Sequence, residues 1–365
     1  MTEENGIVIV STIHGHGYGA ETVLEHLIRG WPRERGKLVI VSPPGSRPAE
    51  AAEAASVPWV PFRTRRDAMV ENFRVLRRTL AHIEGCALVH AWHARGFELA
   101  WWLGRRLRVP ATGTLHDHPR AAFYGPLRRG LMKAAASHLS RLACVSQAVL
   151  DACVGAGYRC PLQVVHNGLN PLAVTRQPSD VVRVGFLGMY AEWKGFGIVE
   201  SWVAKSRHLP VKWMLYGNVS GTLSERAEQL RLVHPQAVIL GGWRPLPEIL
   251  KEIDLVVVPS LDFEPFSTVV IEAASAGIPA VASRTGGMAE IVAHGESGFL
   301  FDPALPETGW DYLERLLRDP ALRERMSEQA HRRYEDLFRI SSMVEAYAGF
   351  WEEARSDARR PACRA

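Results

Sequence analysis

Short apolar runs rich in β-branched residues alternate with helix-period segments along nearly the whole chain, and that alternation most limits how it can fold. In the first half the runs are GIVIVST, KLVIVSP, WVPF, ALVHAW, ATGTLH, RLACVS and LQVVHNG; in the second they are VRVGFLG, VKWMLYG, AVILGG, DLVVVPS and PAVAS. Strands separated by helices pair through crossovers rather than hairpins, and crossovers build parallel sheets covered on both faces. Between the halves lies LNPLAVTRQPSD, polar and proline-bearing, which reads as a linker. At 365 residues the chain is long enough for two cores. The expectation is an α/β protein of two Rossmann-like doubly wound domains, residues 1–172 and 173–339, facing across a cleft at the carboxyl ends of their strands. A last helical pattern, at about 340–358, is long enough to cross back onto the first domain.

Composition narrows the class of protein. The chain is 47% hydrophobic and 22% charged, as globular proteins are. No apolar run reaches the ~18 residues of a membrane span, and MTEENG lacks the features of a signal peptide, so a cytoplasmic protein is expected. The five cysteines (86, 144, 153, 160 and 363) include no C-x-x-C pair, and buried reduced thiols are expected. Residues 1–172 hold 21 Lys and Arg against 13 Asp and Glu, a net +8; the remainder holds 22 against 26, a net −4. The N-terminal half is therefore the part suited to meet an anion.

Gly15, Gly17 and Ala20 fit G-x-G-x-x-A at the first strand-to-helix turn, the fingerprint of a dinucleotide loop. An NAD site also wants an acid at the end of the second strand, and that strand ends VIVSPPG. The loop keeps the general physics without the nicotinamide: Gly17 and Gly19 let the backbone approach a diphosphate, and a helix start supplies N–H groups to it. Three histidine pairs follow strands of the same half: His14 with His16, His90 with His93, and His116 with His118, the last flanking Asp117. Imidazole and carboxylate at one sheet edge suit a zinc or iron hydrolase. They suit a polar, sugar-binding cleft floor equally, and no H-E-x-x-H spacing is present.

The segment from residue 254 to 302 carries more. A strand ends near Ser260, a loop carries Glu264, and a helix begins near Ser267 or Thr268 with Glu272 in its first turns. Carboxylates accept hydrogen bonds from vicinal hydroxyls, while the N–H groups of Phe266, Ser267, Thr268 and Val269 at a positive helix end favour phosphate. A sugar nucleotide has both features.

The stretch E-P-F-x-x-x-x-x-E, followed by AGIPAVAS, GGMAEIV and HGESGFL, resembles the family 4 retaining glycosyltransferases of the GT-B fold. So do GYGAETVLEHLIRG, LVHAWHARGFELAWWLGRRLRVPATGTLHDH, RLACVSQAVLDACVGAG, VVHNGLNP and FLGMYAEWKG, in the family's order. The resemblance implies transfer of a sugar from a nucleotide diphospho-sugar to an acceptor, with the anomeric configuration retained, no resident metal and no cofactor beyond the donor itself. It implies that Glu272 holds the nucleotide ribose, Glu264 the sugar hydroxyls and Lys194 the diphosphate, with Gly17 beside it. It places His116 near the donor sugar, with Asp117 as a fallback base, and makes the N-terminal domain the acceptor-binding one. One departure stands out: where the family has an arginine a few residues before the lysine, this chain has Met189, and Arg244 or an N-domain base is expected to compensate.

Residues 126–142, PLRRGLMKAAASHLSRL, carry four bases and no acid at near-helical spacing, suiting either a solvated face or peripheral contact with an anionic inner membrane surface. Nucleic acid is not an expected partner, because no basic-aromatic interleaving or binding module is present. Two other functions stay open: a metal-dependent hydrolase built on the histidines, and a sugar-nucleotide-binding protein with little turnover.

Overall fold

The structure is a computed structural model that describes residues 6–13, 19–62, 83, 85–217, 222–242 and 244–359. The chain divides into two compact units, Met1–Gly168 with Ile340–Ala365, and Leu169–Arg339.

The first unit holds a seven-stranded sheet of order β3-β2-β1-β4-β5-β6-β7. Its strands are β1 (Gly6–Val10), β2 (Leu38–Ser42), β3 (Trp59–Pro61), β4 (Cys86–Ala91), β5 (Ala111–Leu115), β6 (Arg141–Cys144) and β7 (Leu162–Val164). Every pairing is parallel. Strands β1 and β2 are buried at every position, which is why they read as nearly continuous apolar runs rather than alternating ones. The order reverses between β1 and β4, the switch point where parallel sheets open a crevice at their carboxyl ends.

The last helix, Ile340–Arg359, belongs to this unit and lies on its sheet. Tyr347 and Trp351 are fully buried there: the Tyr347 hydroxyl lies 2.9 Å from Thr114 Oγ1, and Trp351 Nε1 donates to His90 Nδ1 at 3.2 Å. Each such ring removes 150–250 Å² from water, so this helix is a large share of the unit's core.

The second unit repeats the plan with six strands in the order β10-β9-β8-β11-β12-β13. These are β8 (Val182–Leu187), β9 (Val211–Tyr216), β10 (Val238–Gly241), β11 (Leu255–Val258), β12 (Ala280–Ser283) and β13 (Gly298–Phe301). Here the switch point falls between β8 and β11. Strand β13 was not among the expected ones. It is four residues long and starts with a glycine, too little for a local signal, and its state is set by parallel pairing with β12. Trp202, Trp213, Phe196 and Phe301 fill the core beneath the sheet.

Candidate active site

In the second unit the site grows from two loops that leave adjacent strands at the switch point. After β8 the chain makes one 3-10 turn, Glu192–Lys194, and Gly195 then starts the helix Phe196–Lys205. Gly195 has φ 78°, and a Cβ there would lie 1.9 Å from the Pro259 carbonyl oxygen. Only glycine lets this turn press against the exit of β11. The amide of Leu261 donates to the Trp193 carbonyl at 2.8 Å and sews the loops together.

That packing brings Lys194 onto Glu264. The ammonium donates to Glu264 Oε2 at 2.6 Å, and Ser260 Oγ donates to the same oxygen at 3.0 Å. Glu264 is buried and Lys194 half-buried, with its Nζ 4.4 Å from the centre of the Trp193 ring. A third loop fixes the backbone of Glu264: its carbonyl accepts from the Gly287 amide at 2.9 Å, and Gly286 has φ 51° with no room for a Cβ, which would fall 2.1 Å from that carbonyl. Ser260, Trp193, Gly195 and Gly286 are site residues that the sequence reading did not single out. The glycines flanking the lysine and opening GGM were the available signal.

Shortly after Glu264 the helix Thr268–Ser275 begins, with Ser267 at the N-cap position but making no side-chain capping bond. Phe266 and Ser267 are buried, and the Phe266 ring packs edge-on against Phe338, 5.8 Å between centres. Thr268 and Glu272 are half-buried on the helix. The first amides of a helix have no intrahelical acceptor, so this end offers donors and a positive dipole to an anion.

Arg244 is engaged by neighbours of its own. Its guanidinium donates to both Glu252 oxygens at 3.1 Å and to the Tyr216 hydroxyl at 3.3 Å, and it sits over the Tyr216 ring. Arg244 lowers the Glu252 carboxyl below its ordinary range, and burial pushes the Tyr216 phenol up to about 12. To serve a diphosphate, Arg244 would have to exchange these partners. Met189 is 53% exposed at the end of β8.

In the first unit, three consecutive strands deliver the candidate groups. His93 follows β4, His116 and Asp117 follow β5, and Gly19 opens the helix Gly19–Gly30 after β1. Gly17, with His14 and His16, lies outside the described residues. His116 is half-buried, 5.0 Å from the Trp92 ring and 5.5 Å from the His93 ring. Burial, then His93 and His90, hold its imidazole well below the usual pKa, so it is neutral. Burial likewise raises the Asp117 carboxyl, which accepts a 3.0 Å hydrogen bond from Tyr124.

His90 is a scaffold residue. One ring nitrogen accepts from Trp351 and the other meets Thr114 at 3.0 Å, and burial pushes its pKa down to about 3. Both nitrogens are thereby committed inside the core. Among the described residues, no group of three or more His, Cys, Asp and Glu side chains is arranged to hold a metal ion. The free cysteines 144 and 153 are buried, with their sulfurs 4.0 Å apart.

The basic stretch is shorter as a helix than its composition suggests. The helix ends at Ala136, and Arg141 belongs to β6, facing Glu353 and Asp357. Arg128 is paired with Glu98. Leu127 and Leu131 are exposed one turn apart. No helix among the described residues is long and apolar enough to cross a membrane.

Two parallel sheets with helices, each reversing its strand order at a switch point, define a protein of two Rossmann-like domains of the GT-B type. Residues 17–171 match the model of Glycosyltransferase Family 4, and residues 173–333 that of Glycosyl transferases group 1. The chain belongs to glycosyltransferase family 4. A D-inositol 3-phosphate glycosyltransferase of Corynebacterium urealyticum is 32% identical over 167 residues, 42% of this chain and 39% of that protein. The N-acetyl-alpha-D-glucosaminyl L-malate synthase of Bacillus anthracis is 28% identical over 125 residues, 34% of this chain and 32% of that one. The chain thus spans well under half of the length of these curated relatives. Among solved structures, Anabaena HepE in complex with UDP has a TM-score of 0.82 at 21% identity, covering 95% of this chain and 100% of that one. HepE in complex with UDP-glucose has a TM-score of 0.81 at 20% identity, covering 95% and 99%.

Proposed function

We propose that the protein is a retaining glycosyltransferase that moves a sugar from a nucleotide diphospho-sugar to an acceptor. The observation that carries this reading is the Lys194–Glu264 pair beside the start of the helix Thr268–Ser275. It joins a cation, a buried carboxylate and helix-start amides, which are the groups that diphosphate and sugar hydroxyls require. That HepE was solved with UDP and UDP-glucose supports a UDP-sugar as the first donor to try.

Departure of the nucleoside diphosphate builds negative charge on its outer phosphate. Lys194 and the amides of Ser267, Thr268 and Val269 are suited to that charge, and their attraction is stronger in the transition state than before it. Glu264 orients the sugar by accepting from its hydroxyls, Glu272 holds the ribose, and neutral His116 accepts a further hydroxyl. Gly17 and Gly19 admit the diphosphate to the first strand-to-helix turn. Asp117, whose carboxyl burial raises above its ordinary range, is a second candidate for the acceptor's proton.

The test is a panel of UDP-, GDP-, ADP- and TDP-sugars scored by thermal shift and then by transfer, with the anomeric configuration of the product read by NMR. Stabilisation by one donor and a retained product are expected. An inverted product sinks the retaining assignment, and binding without transfer sinks the enzyme in favour of a sugar-nucleotide-binding protein, the reading that Met189 favours. Activity is expected to survive a chelator; its loss would favour a metal-dependent hydrolase. The same proposal includes a cytoplasmic protein touching an anionic membrane surface through Leu127 and Leu131 beside Arg129 and Lys133. Flotation with phosphatidylglycerol vesicles checks it, and no binding at low salt would remove it.

A further inference from the structure

Glu21 is a fully buried carboxylate that the chemistry above does not use. It is the third residue of the helix Gly19–Gly30. An ionised carboxylate out of water is costly unless something opposes it, so an apolar residue would serve a purely structural helix better. Glu21 Oε1 lies 2.6 Å from His93 Nε2, and both groups are buried. Among the described residues neither carboxylate oxygen nor His93 Nε2 has an aligned hydrogen-bond partner, so the pair is a close contact of the two groups rather than a directed hydrogen bond. The first turn of a helix favours an acid here, which adds to holding the charge.

The pair leads to His116. The His93 ring is tilted by 49° against the His116 ring, and the Trp92 ring closes another side. Trp92 is itself tied back to this helix, its Nε1 donating to the Ala20 carbonyl at 2.8 Å. His116 Nε2 is buried with no hydrogen-bond partner among the described residues. A neutral ring whose proton is on the other nitrogen offers its lone pair at this unpartnered Nε2. The other charged or titratable neighbours are His90, locked in the core, Asp117, held by Tyr124, and Arg95, which acts on Asp117.

We propose that Glu21 and His93 are positioning residues for His116: the carboxylate fixes the His93 ring, and the His93 and Trp92 rings hold His116 with its Nε2 lone pair presented to a sugar hydroxyl. This inference rests on the transferase reading. Glu21 and His93 sit on either side of the switch point between β1 and β4, so two elements of the fold are registered by one short contact.

A double-mutant cycle of Glu21→Gln and His116→Ala tests it, with kcat and donor KM measured at neutral pH. Glu21→Gln is expected to lower kcat about 10-fold, leave KM within about 2-fold, and have no further effect once His116 is alanine. An effect of equal size on both backgrounds, or none in the wild-type background, overturns the proposal. If Glu21→Gln does not fold, 15N spectra of the wild-type histidines decide. A neutral His116 with its proton on Nδ1 is expected, and a proton on Nε2 or a charged ring at pH 7 overturns it. If the wild type neither binds nor transfers a nucleotide sugar, the transferase reading fails instead, and the spectra still judge how His116 is held.

Discussion

Both units place a carboxylate and a nitrogen base across their topological switch point, 2.6 Å apart in each, yet the two pairs live in different surroundings. Lys194–Glu264 lies between loops, partly open, with Ser260 sharing the carboxylate. Glu21–His93 is sealed among rings, next to a second imidazole that burial keeps neutral. The same topology thus yields a charged site suited to a diphosphate and a low-dielectric site suited to one oriented hydrogen bond. What separates them is burial, since screening by water decides whether a charge stays charged.

The largest expected break of this comparison is Lys194→Ala, which removes the cation from the open site. A fall in kcat of roughly 10²–10³-fold is expected, as for loss of one transition-state donor. A steady-state transfer assay checks it, and a change under 3-fold would mean that Lys194 is structural. Next comes Glu272→Ala, expected to weaken nucleotide binding about 10-fold or more by calorimetry, since a hydrogen bond to a charged group is worth about 1.5–3 kcal/mol. Gly286→Ala follows: with φ 51° and the Glu264 carbonyl in the way, it should destabilise the second unit by more than about 1 kcal/mol in urea unfolding. Unchanged stability would show that the turn yields.

The sealed site should respond to pH. His90 and His116 bind protons more weakly folded than unfolded, so stability falls as pH drops below the ordinary value of 6.5, for His90 down to about 3. The slope is about 1.4 kcal/mol per pH unit for each histidine that stays neutral. Calorimetry between pH 7 and pH 5 checks this on the first unit's transition, and a flat profile would contradict the buried neutral imidazoles. The smallest effect is expected from Met189→Arg: restoring a cation at the exposed end of β8 should tighten diphosphate binding by a few-fold, whereas no change would point to Arg244 or another base already in that role.

Much of this was legible in advance. Both sheets follow from the apolar runs, because a strand buried on both faces must be apolar throughout, and the runs through β12 were found where the strands are. Strand β13 escaped because four residues beginning with glycine carry no periodic signal. Lys194, Glu264 and Glu272 were nominated from their motifs, but that Lys194 and Glu264 touch is a matter of two loops meeting. The basic stretch runs past its helix, which ends at Ala136; Arg141 lies in the strand that RLACVS marked, with acidic partners in the last helix.

The sequence by itself determined the class of fold, the family and the identity of the charged residues, since apolar period and motif chemistry are local properties of the chain. Tertiary structure alone decided which charges meet, that Arg244 is already engaged by Glu252, that His90 belongs to the core, and that Glu21 faces His93. Residues 21 and 93 become neighbours only because β1 and β4 lie side by side in the sheet. Pairing between distant strands, and the burial it imposes, is a property of the assembled fold.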